Sequence, residues 1–250
     1  METHPEATYL AFPLAIPEAK VRLDLGGQAM QPEMDQLPGA CRDYFTVQRW
    51  VDFSNAAFGV TIACPSAPMV QLGDFTFGRN QAHFTLSRSL LLGWITNNYW
   101  ETNFRAHQPG QVSACYWLLP HQGPFIEAAA HRFGAEATVP AQLQHLGEPP
   151  VATSLLLPES GTLLHLPAEP VLTIAIKPAA SDEGIVLHLL NASDAPARAR
   201  VASAVLRLET AERCDLIERP QEAIPLTADG TLTLELAPRG LACLRLTVSR

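Results

Sequence analysis

With 250 residues, 47% of them hydrophobic and 17% charged, the chain is long enough to bury a large core and too apolar to be disordered. Its formal net charge of −8, with no cluster of Lys and Arg, argues against nucleic acid and anionic membranes as partners, because both bind concentrated positive charge. The first residues lack the segments of a signal peptide, and no apolar run is long enough to span a bilayer, so we expect a cytoplasmic protein.

The first 27 residues predict extended structure followed by a strand. Residues 8–17 are rich in aromatic and apolar side chains, and residues 20–25 alternate polar and apolar before the Gly26-Gly27 turn. Because the chain begins almost directly inside a strand, we expect exposed apolar surface there, or a cover from another polypeptide.

Residues 32–44 then predict a loop with acids, an amide and an Arg, which makes it a candidate rim of a binding site. Residues 45–53 and 58–64 predict a β-hairpin, residues 69–73 a short strand, and residues 78–89 a loop.

The most unusual stretch is 94–104, which combines aromatic rings with Asn amides and one carboxylate. Flat rings and planar amides suit the C–H faces and hydroxyls of a sugar. An equally good interpretation is a core strand whose Asn side chains fix backbone turns. A strand is predicted next over residues 112–117.

One helix is predicted over residues 125–133, opened by Gly123-Pro124 and closed by Gly134. Residues 138–150 read as a linker, so the first domain is predicted to cover residues 1–150.

Beyond residue 150 the composition changes, since Phe, Tyr and Trp are absent after Phe133. Short aliphatic segments separated by turn residues predict a β-sandwich of structural role over residues 151–250. The seven predicted strands are 151–157, 161–166, 171–176, 185–190, 197–206, 231–236 and 241–248.

No catalytic or metal-binding residue is assigned from motifs. The eight histidines form no HExxH or HxH pattern, and neither a GxSxG elbow nor a phosphate-binding Gly-rich loop is present. A zinc site assembled from distant residues leaves no such signal and stays open. Glycoside hydrolysis needs two carboxylates, and the available acids include Asp35, Asp43, Asp52, Asp74 and Glu101.

The five cysteines have irregular spacing and form no CxxC pair, so we predict buried, reduced thiols. They are Cys41, Cys64, Cys115, Cys214 and Cys243.

A series of ordered motifs resembles the C-terminal portion of bacterial glycoside hydrolase family 38 α-mannosidases. The series runs through residues 9–13, 35–39 with Arg42-Asp43, 47–52, 59–61, 67–73 and 97–104, and residues 184–194 and 241–248 are similar to the terminal β-sandwich of that family.

This resemblance implies part of a galactose-mutarotase-like β-supersandwich, followed by a smaller C-terminal β-sandwich. It also implies that the catalytic machinery of a retaining, zinc-dependent enzyme lies in an N-terminal barrel that has no counterpart here. The chain is therefore expected to contain no catalytic residue and no cofactor of its own, and not to hydrolyse mannosides alone. A separately encoded catalytic half is the expected protein partner, and a mannoside the expected ligand.

Loops of the supersandwich help wall the active site in that family. The resemblance therefore implies substrate-orienting or loop-bracing roles for the matching polar residues of the first loop and the central stretch. These are Asp35, Arg42, Asn97, Asn98, Trp100 and Asn103.

Two further functions stay open. One is a free-standing carbohydrate-binding module with Trp94, Tyr99 and Trp100 as its stacking platform, which requires those rings to be exposed. The other is an aldose-epimerase-like enzyme, which requires a His and a carboxylate within hydrogen-bond reach in one pocket.

Overall fold

The computed structural model describes residues 6–98, 109–144, 160–181 and 184–249. The chain divides into two compact units, Met1–Ala141 and Gln142–Arg250, which we call the first and the second unit. The architecture is mainly β, as predicted, and the predicted boundary at residue 150 lies outside the described residues. No helix in the described part of the chain is long and apolar enough to cross a membrane.

The first unit contains nine strands in its described residues. In chain order they are β1 (Ala7–Pro13), β2 (Lys20–Leu25), β3 (Gln28–Met30), β4 (Phe45–Thr46), β5 (Trp50–Ser54), β6 (Phe58–Ala63), β7 (Met69–Leu72), β8 (Leu90–Asn97) and β9 (Trp117–Gln122). They form a four-stranded sheet in the order β1-β8-β7-β4 and a five-stranded sheet in the order β3-β2-β5-β6-β9. All pairings are antiparallel.

The two sheets pack against each other through one apolar core. Leu23, Val51 and Phe53 contribute from the five-stranded sheet, and Val70 and Leu91 from the four-stranded sheet, all fully buried. Burying one such side chain contributes roughly 1.5–3 kcal/mol, so this seam is the main source of stability of the first unit.

The prediction of a single strand over residues 45–53 is wrong, because the chain crosses from one sheet to the other between β4 and β5. β4 pairs with β7, whereas β5 pairs with β2 and β6. At the crossing, the Val47 N–H donates to the Pro68 carbonyl at 2.8 Å and the Gln48 N–H donates to the Asp24 carbonyl at 2.8 Å. Phe45, Val47, Val51 and Phe53 all face the core at odd positions, so the alternation of apolar residues does not reveal the bend.

The helix, α1 (Glu127–Thr138), confirms the predicted element but not its end. Gly134 lies inside α1, where an added Cβ would be 2.6 Å from Trp50 Cδ1 and 3.0 Å from Arg49 Cβ. Its function is close packing and not termination of the helix. The strand predicted over residues 112–117 is also displaced, since β9 begins at Trp117.

The second unit has seven strands in its described residues. They are β10 (Val171–Pro178), β11 (Ile185–Asn191), β12 (Ala197–Val201), β13 (Arg207–Cys214), β14 (Pro220–Ala223), β15 (Leu232–Leu236) and β16 (Leu241–Ser249). A five-stranded sheet, β10-β11-β16-β13-β14, and a two-stranded sheet, β12-β15, enclose one aliphatic core that includes Leu187, Leu232 and Leu244.

This arrangement confirms the predicted sandwich but changes its strands. The predicted strand over 197–206 ends at Val201, and residues 161–166 contribute only a bridge between His165 and Ala202. The sequence analysis missed β13 and β14, and the strand predicted over 151–157 lies outside the described residues.

All five cysteines are free. The prediction of buried thiols is confirmed for Cys64, Cys214 and Cys243 and is wrong for Cys41 and Cys115, which are exposed. Burial raises the pKa of Cys64 to about 12, so this thiol stays protonated at neutral pH.

Candidate functional site

The candidate site consists of two loops of the first unit, residues 31–44 and residues 73–89, which we call the first and the second loop. The first loop is folded on itself by its own polar groups. Asp35 Oδ2 accepts from the Gln31 N–H at 2.7 Å, and the Gln36 amide donates to the Cys41 carbonyl at 3.0 Å. The loop predicted from its prolines and acids is therefore ordered by local hydrogen bonds.

Glu33 joins the two loops. Arg42, which is buried, donates from Nε to Glu33 Oε2 at 2.6 Å, while His83 Nδ1 lies 2.8 Å from Glu33 Oε1 and the Phe84 N–H donates to Oε2 at 2.8 Å. The bonds from His83, from the Phe84 amide and from Arg42 lower the pKa of Glu33 from 4.5 to about 2. The carboxylate is therefore ionised at neutral pH and clamps the second loop onto the first.

Asp43 makes a second connection between the loops. Its carboxylate accepts from the N–H groups of Asn80 and Gln81 at 2.7 and 2.9 Å, and its carbonyl accepts from Thr76 Oγ1 at 2.5 Å. Between these contacts lies an open cleft of about 500 Å³, lined by residues 39–43 and 80–82.

Trp94 lies beneath the second loop in a cluster of aromatic rings. It stacks on Tyr9 with ring centroids 5.3 Å apart and meets Tyr44 and Phe77 edge to face at 5.8 and 5.0 Å. Only 5% of Trp94 is exposed. The predicted role of Trp94 in a sugar-stacking platform is therefore wrong, because its faces are occupied by protein.

The Asn residues of the central stretch lie at the end of β8. Asn97 is exposed opposite Ala7, and Asn98 accepts from the Glu6 N–H through Oδ1 while its own N–H donates to the Glu6 carbonyl at 3.0 Å. Asn98 thus extends the pairing of β8 with β1, which is the backbone-fixing role. Trp100 and Asn103, together with Tyr99 and Glu101, lie outside the described residues.

The structure therefore brings Asp35 and Arg42 into one loop and Asn97 and Asn98 to one strand end. Arg42 braces the loop through Glu33 and through the Ala40 carbonyl, which its Nη1 reaches at 2.9 Å. The sequence analysis missed Glu33 as the centre of this loop pair.

It also missed a buried network where α1 meets the five-stranded sheet. Asp24 is fully buried and accepts from Arg49 Nε at 2.7 Å. Arg49 Nη2 and Trp50 Nε1 both approach His131 Nδ1, at 3.1 and 3.3 Å. Both groups can only donate, so Nδ1 accepts, and Nε2 on the other side of the ring lies 3.5 Å from Glu127 Oε1.

A second buried acid, Asp52, links three strands. It accepts from Ser54 Oγ at 2.6 Å and Thr61 Oγ1 at 2.8 Å, and His121 Nε2 lies 3.0 Å from Oδ2. Gly59 makes room for this, since a Cβ there would lie 2.7 Å from the His121 ring. His121 and Asp52 are within the hydrogen-bond distance that an epimerase-like enzyme requires. Asp52 is fully buried, however, and both of its oxygens accept hydrogen bonds that join β5, β6 and β9.

No group of three or more His, Cys, Asp and Glu side chains is arranged to hold a metal ion within residues 6–98, 109–144, 160–181 and 184–249. Among the acids considered for hydrolysis, Asp74 accepts from the Phe75 N–H at 2.8 Å and contacts Arg88 at 3.3 Å. The Asp74 carboxylate, like those of Asp35, Asp43 and Asp52, accepts hydrogen bonds that hold a loop or join strands.

Comparison with known proteins supports the resemblance in both units. Residues 171–239 match the family model of the glycosyl hydrolases family 38 C-terminal beta sandwich domain. An alpha-mannosidase from Enterococcus faecalis V583 has a similar fold, with a TM-score of 0.64 and 15% identity over 96% of this chain and 25% of that one. A protein in the glycosyl hydrolase family 38 from Enterococcus faecalis gives a TM-score of 0.62 and 16% identity, over 96% of this chain and 26% of that one.

The chain thus spans about a quarter of the length of these structures. No curated protein matches the sequence.

Proposed function

Because residues 171–239 match the C-terminal β-sandwich domain of glycosyl hydrolase family 38, we propose that the chain is the non-catalytic C-terminal part of an α-mannosidase. It stabilises a catalytic half and helps wall that half's active site. The catalytic half supplies the carboxylate pair and the zinc of a retaining hydrolysis, and the assembly acts on mannosides in the cytoplasm.

The observation that carries this proposal is the extent of the likeness. The family match over residues 171–239 lies within the second unit, while the shared fold covers 96% of this chain and so includes most of the first unit as well. A free-standing carbohydrate-binding module that consisted of a sandwich like the second unit would leave the presence of the first unit unexplained.

The first and second loops are the part of the first unit that we assign to the active-site wall. Arg42 is buried and bonded at 2.6 Å to Glu33, so the loop keeps its shape without a ligand. A loop that is already rigid loses little conformational entropy when it contacts a substrate. The cleft of residues 39–43 and 80–82 includes Asn80 and Gln81, and side-chain amides are a residue type that suits sugar hydroxyls.

The test is an assay on an aryl α-mannoside with added zinc, using this chain, a separately expressed family 38 catalytic half from the same genome, and their mixture. We expect no hydrolysis by this chain and the fastest hydrolysis by the mixture. Hydrolysis by this chain alone would overturn the proposal, and so would a mixture no more active than the catalytic half.

Arg42→Ala then tests the role of the loops. We expect the mixture containing this variant to show KM raised several-fold, because the loop loses its brace to Glu33. Arg79→Ala is the matched control, since Arg79 is exposed and its ion pair with Asp74 spans 3.6 Å within the second loop. An equal KM for both variants would remove the loops from the active-site wall.

A further inference from the structure

In the described residues of the first unit, the edge strands of its two sheets form an open side. β1 is the edge of the four-stranded sheet and β9 the edge of the five-stranded sheet. The rings of Phe12 in β1 and Tyr116, just before β9, lie 5.0 Å apart. Tyr116 also covers Gly93 of β8, where a Cβ would lie 2.1 Å from the Tyr116 hydroxyl. The two edges therefore lie on the same side of the unit.

Side chains that face the core are exposed at this side. Leu118 pairs with Ile62, which is fully buried, so both side chains lie on the core side of the sheet. Leu10 lies on the same side of β1 as Phe12, which packs against the core. Yet Leu118 is 48% exposed and Leu10 46% exposed. The gap between the sheets is therefore not closed here by the described residues.

At its first residues β9 is apolar on its outer face as well. Trp117 and Leu119 alternate with Leu118 and are 42% and 38% exposed, and the strand from Trp117 to Gln122 contains no Asp, Glu, Lys or Arg. Edge strands in soluble proteins usually carry charge on the solvent side. A strand that is apolar on both faces is typical of a strand covered on both faces.

Pro120 determines how a partner can bind. Proline has no N–H, so it interrupts the hydrogen-bond ladder that an added strand would form along β9. At β9, the partner therefore binds by packing on the side chains and not by extending the sheet past Pro120.

The opposite edges do not share these features. β4 has two residues and β3 three, and the Ala29 N–H of β3 already donates to Glu127 of α1 at 3.1 Å. Apolar docking is thus directed to one side of the unit.

We propose that the side formed by Leu10, Trp117, Leu118 and Leu119 is the surface that docks the catalytic half. This rests on the proposed function. The partner must cover both faces of β9, which requires a large body, and the family 38 structures carry about three further quarters of polypeptide beyond the shared fold. A second copy of this chain is a poorer partner, because each copy has a net charge of −8 and two copies repel.

The test measures the affinity of the full chain for the separately expressed catalytic half by calorimetry. The variant is Leu118→Gln/Leu119→Gln, with Leu10→Gln as a second variant on the other sheet. The matched control is Leu216→Gln/Ile217→Gln, whose residues are 59% and 66% exposed in the second unit. We expect the Leu118/Leu119 variant to bind about tenfold more weakly, because the new amides would be buried without hydrogen-bond partners, and the control to bind as the wild type does.

Each other outcome overturns the proposal in a distinct way. If the Leu118/Leu119 variant binds and restores activity like the wild type, docking occurs elsewhere and the proposed function stands. If the wild type forms no complex and gives no activity, the proposed function fails with it. If the wild type is instead a dimer that this variant dissociates, the occupant is a second copy, and sedimentation of the chain alone detects that.

Discussion

The first unit buries ionisable side chains, whereas the second unit buries hydrocarbon. Asp24, Asp43, Asp52 and His131 are all buried in the first unit. In the described residues of the second unit, the buried polar side chains are Asn191 and Thr231. The Asn191 amide donates to the Ala195 and Ala237 carbonyls, and the Thr231 hydroxyl donates to Asp229 Oδ2 at 3.1 Å.

This difference indicates two kinds of stability. An aliphatic core gains from every buried group and tolerates exchange among apolar residues of similar volume. Buried charges are costly to desolvate, so each depends on specific partners, and loss of one partner is expensive. The second unit is therefore suited to a structural role, and the first unit, with its braced loops and open side, to contacts that need defined geometry.

Removing a buried charge should have the largest effect on the first unit. Asp24→Ala deletes the partner of Arg49, whose side chain is only 16% exposed, and leaves a guanidinium buried without its carboxylate. We expect the free energy of unfolding to fall by about 3–5 kcal/mol. All four Trp residues lie in the first unit, so urea unfolding followed by Trp fluorescence reports on that unit.

Leu244→Ala is the matched change in the second unit, where Leu244 is fully buried in the aliphatic core. It should cost about 2–5 kcal/mol, observed in the circular dichroism of the strands. If Asp24→Ala costs less than about 1 kcal/mol, the pair behaves like a surface ion pair and the contrast between the units disappears.

Gly134→Ala should change the free energy of unfolding less than Asp24→Ala does. It should destabilise the first unit, although helix propensity alone would predict stabilisation. Ala is favoured over Gly inside a helix by about 1 kcal/mol. Here the new Cβ would lie 2.6 Å from Trp50 Cδ1. We expect a net loss of about 1–3 kcal/mol in the Trp-detected transition, because the tight contact between helix and sheet must open.

Ala137→Gly, in the same helix, measures the propensity term by itself and should cost about 1 kcal/mol. Stabilisation by Gly134→Ala would mean that Gly134 is not a packing position.

Period-two alternation was enough to predict β2 and β15, because Val21 and Leu23 of β2, and Leu232, Leu234 and Leu236 of β15, are buried in the cores. It failed for β13, where charged residues alternate with few apolar ones and the register shifts between Leu208 and Thr210. It also failed at Val47 and Gln48, since Val47 and Val51 face the core at odd positions on both sides of the change of sheet.

The candidate site shows the same limit. Prolines, acids and Arg42 predicted the loop of residues 32–44, because turn residues act locally. The partner of Arg42 was not predictable, since Glu33 lies nine residues from Arg42 in the sequence. The other side-chain partner of Glu33, His83, lies fifty residues from it. Contacts between loops follow from the tertiary fold and leave no local pattern.

Glu33 provides the smallest and most specific test. Its pKa falls from 4.5 to about 2 on folding, so the folded state binds fewer protons than the unfolded state between these values. The stabilisation is complete above pH 4.5 and is lost as the pH falls towards 2.

In Glu33→Gln this dependence should disappear, and the Trp-detected midpoint temperature should change less between pH 4.5 and 2 than in the wild type. Glu136→Gln, on the exposed side of α1, should retain the wild-type slope. If Glu33→Gln also retains it, Glu33 does not hold the two loops together, and the rigidity assigned to the first unit must come from Asp43 alone.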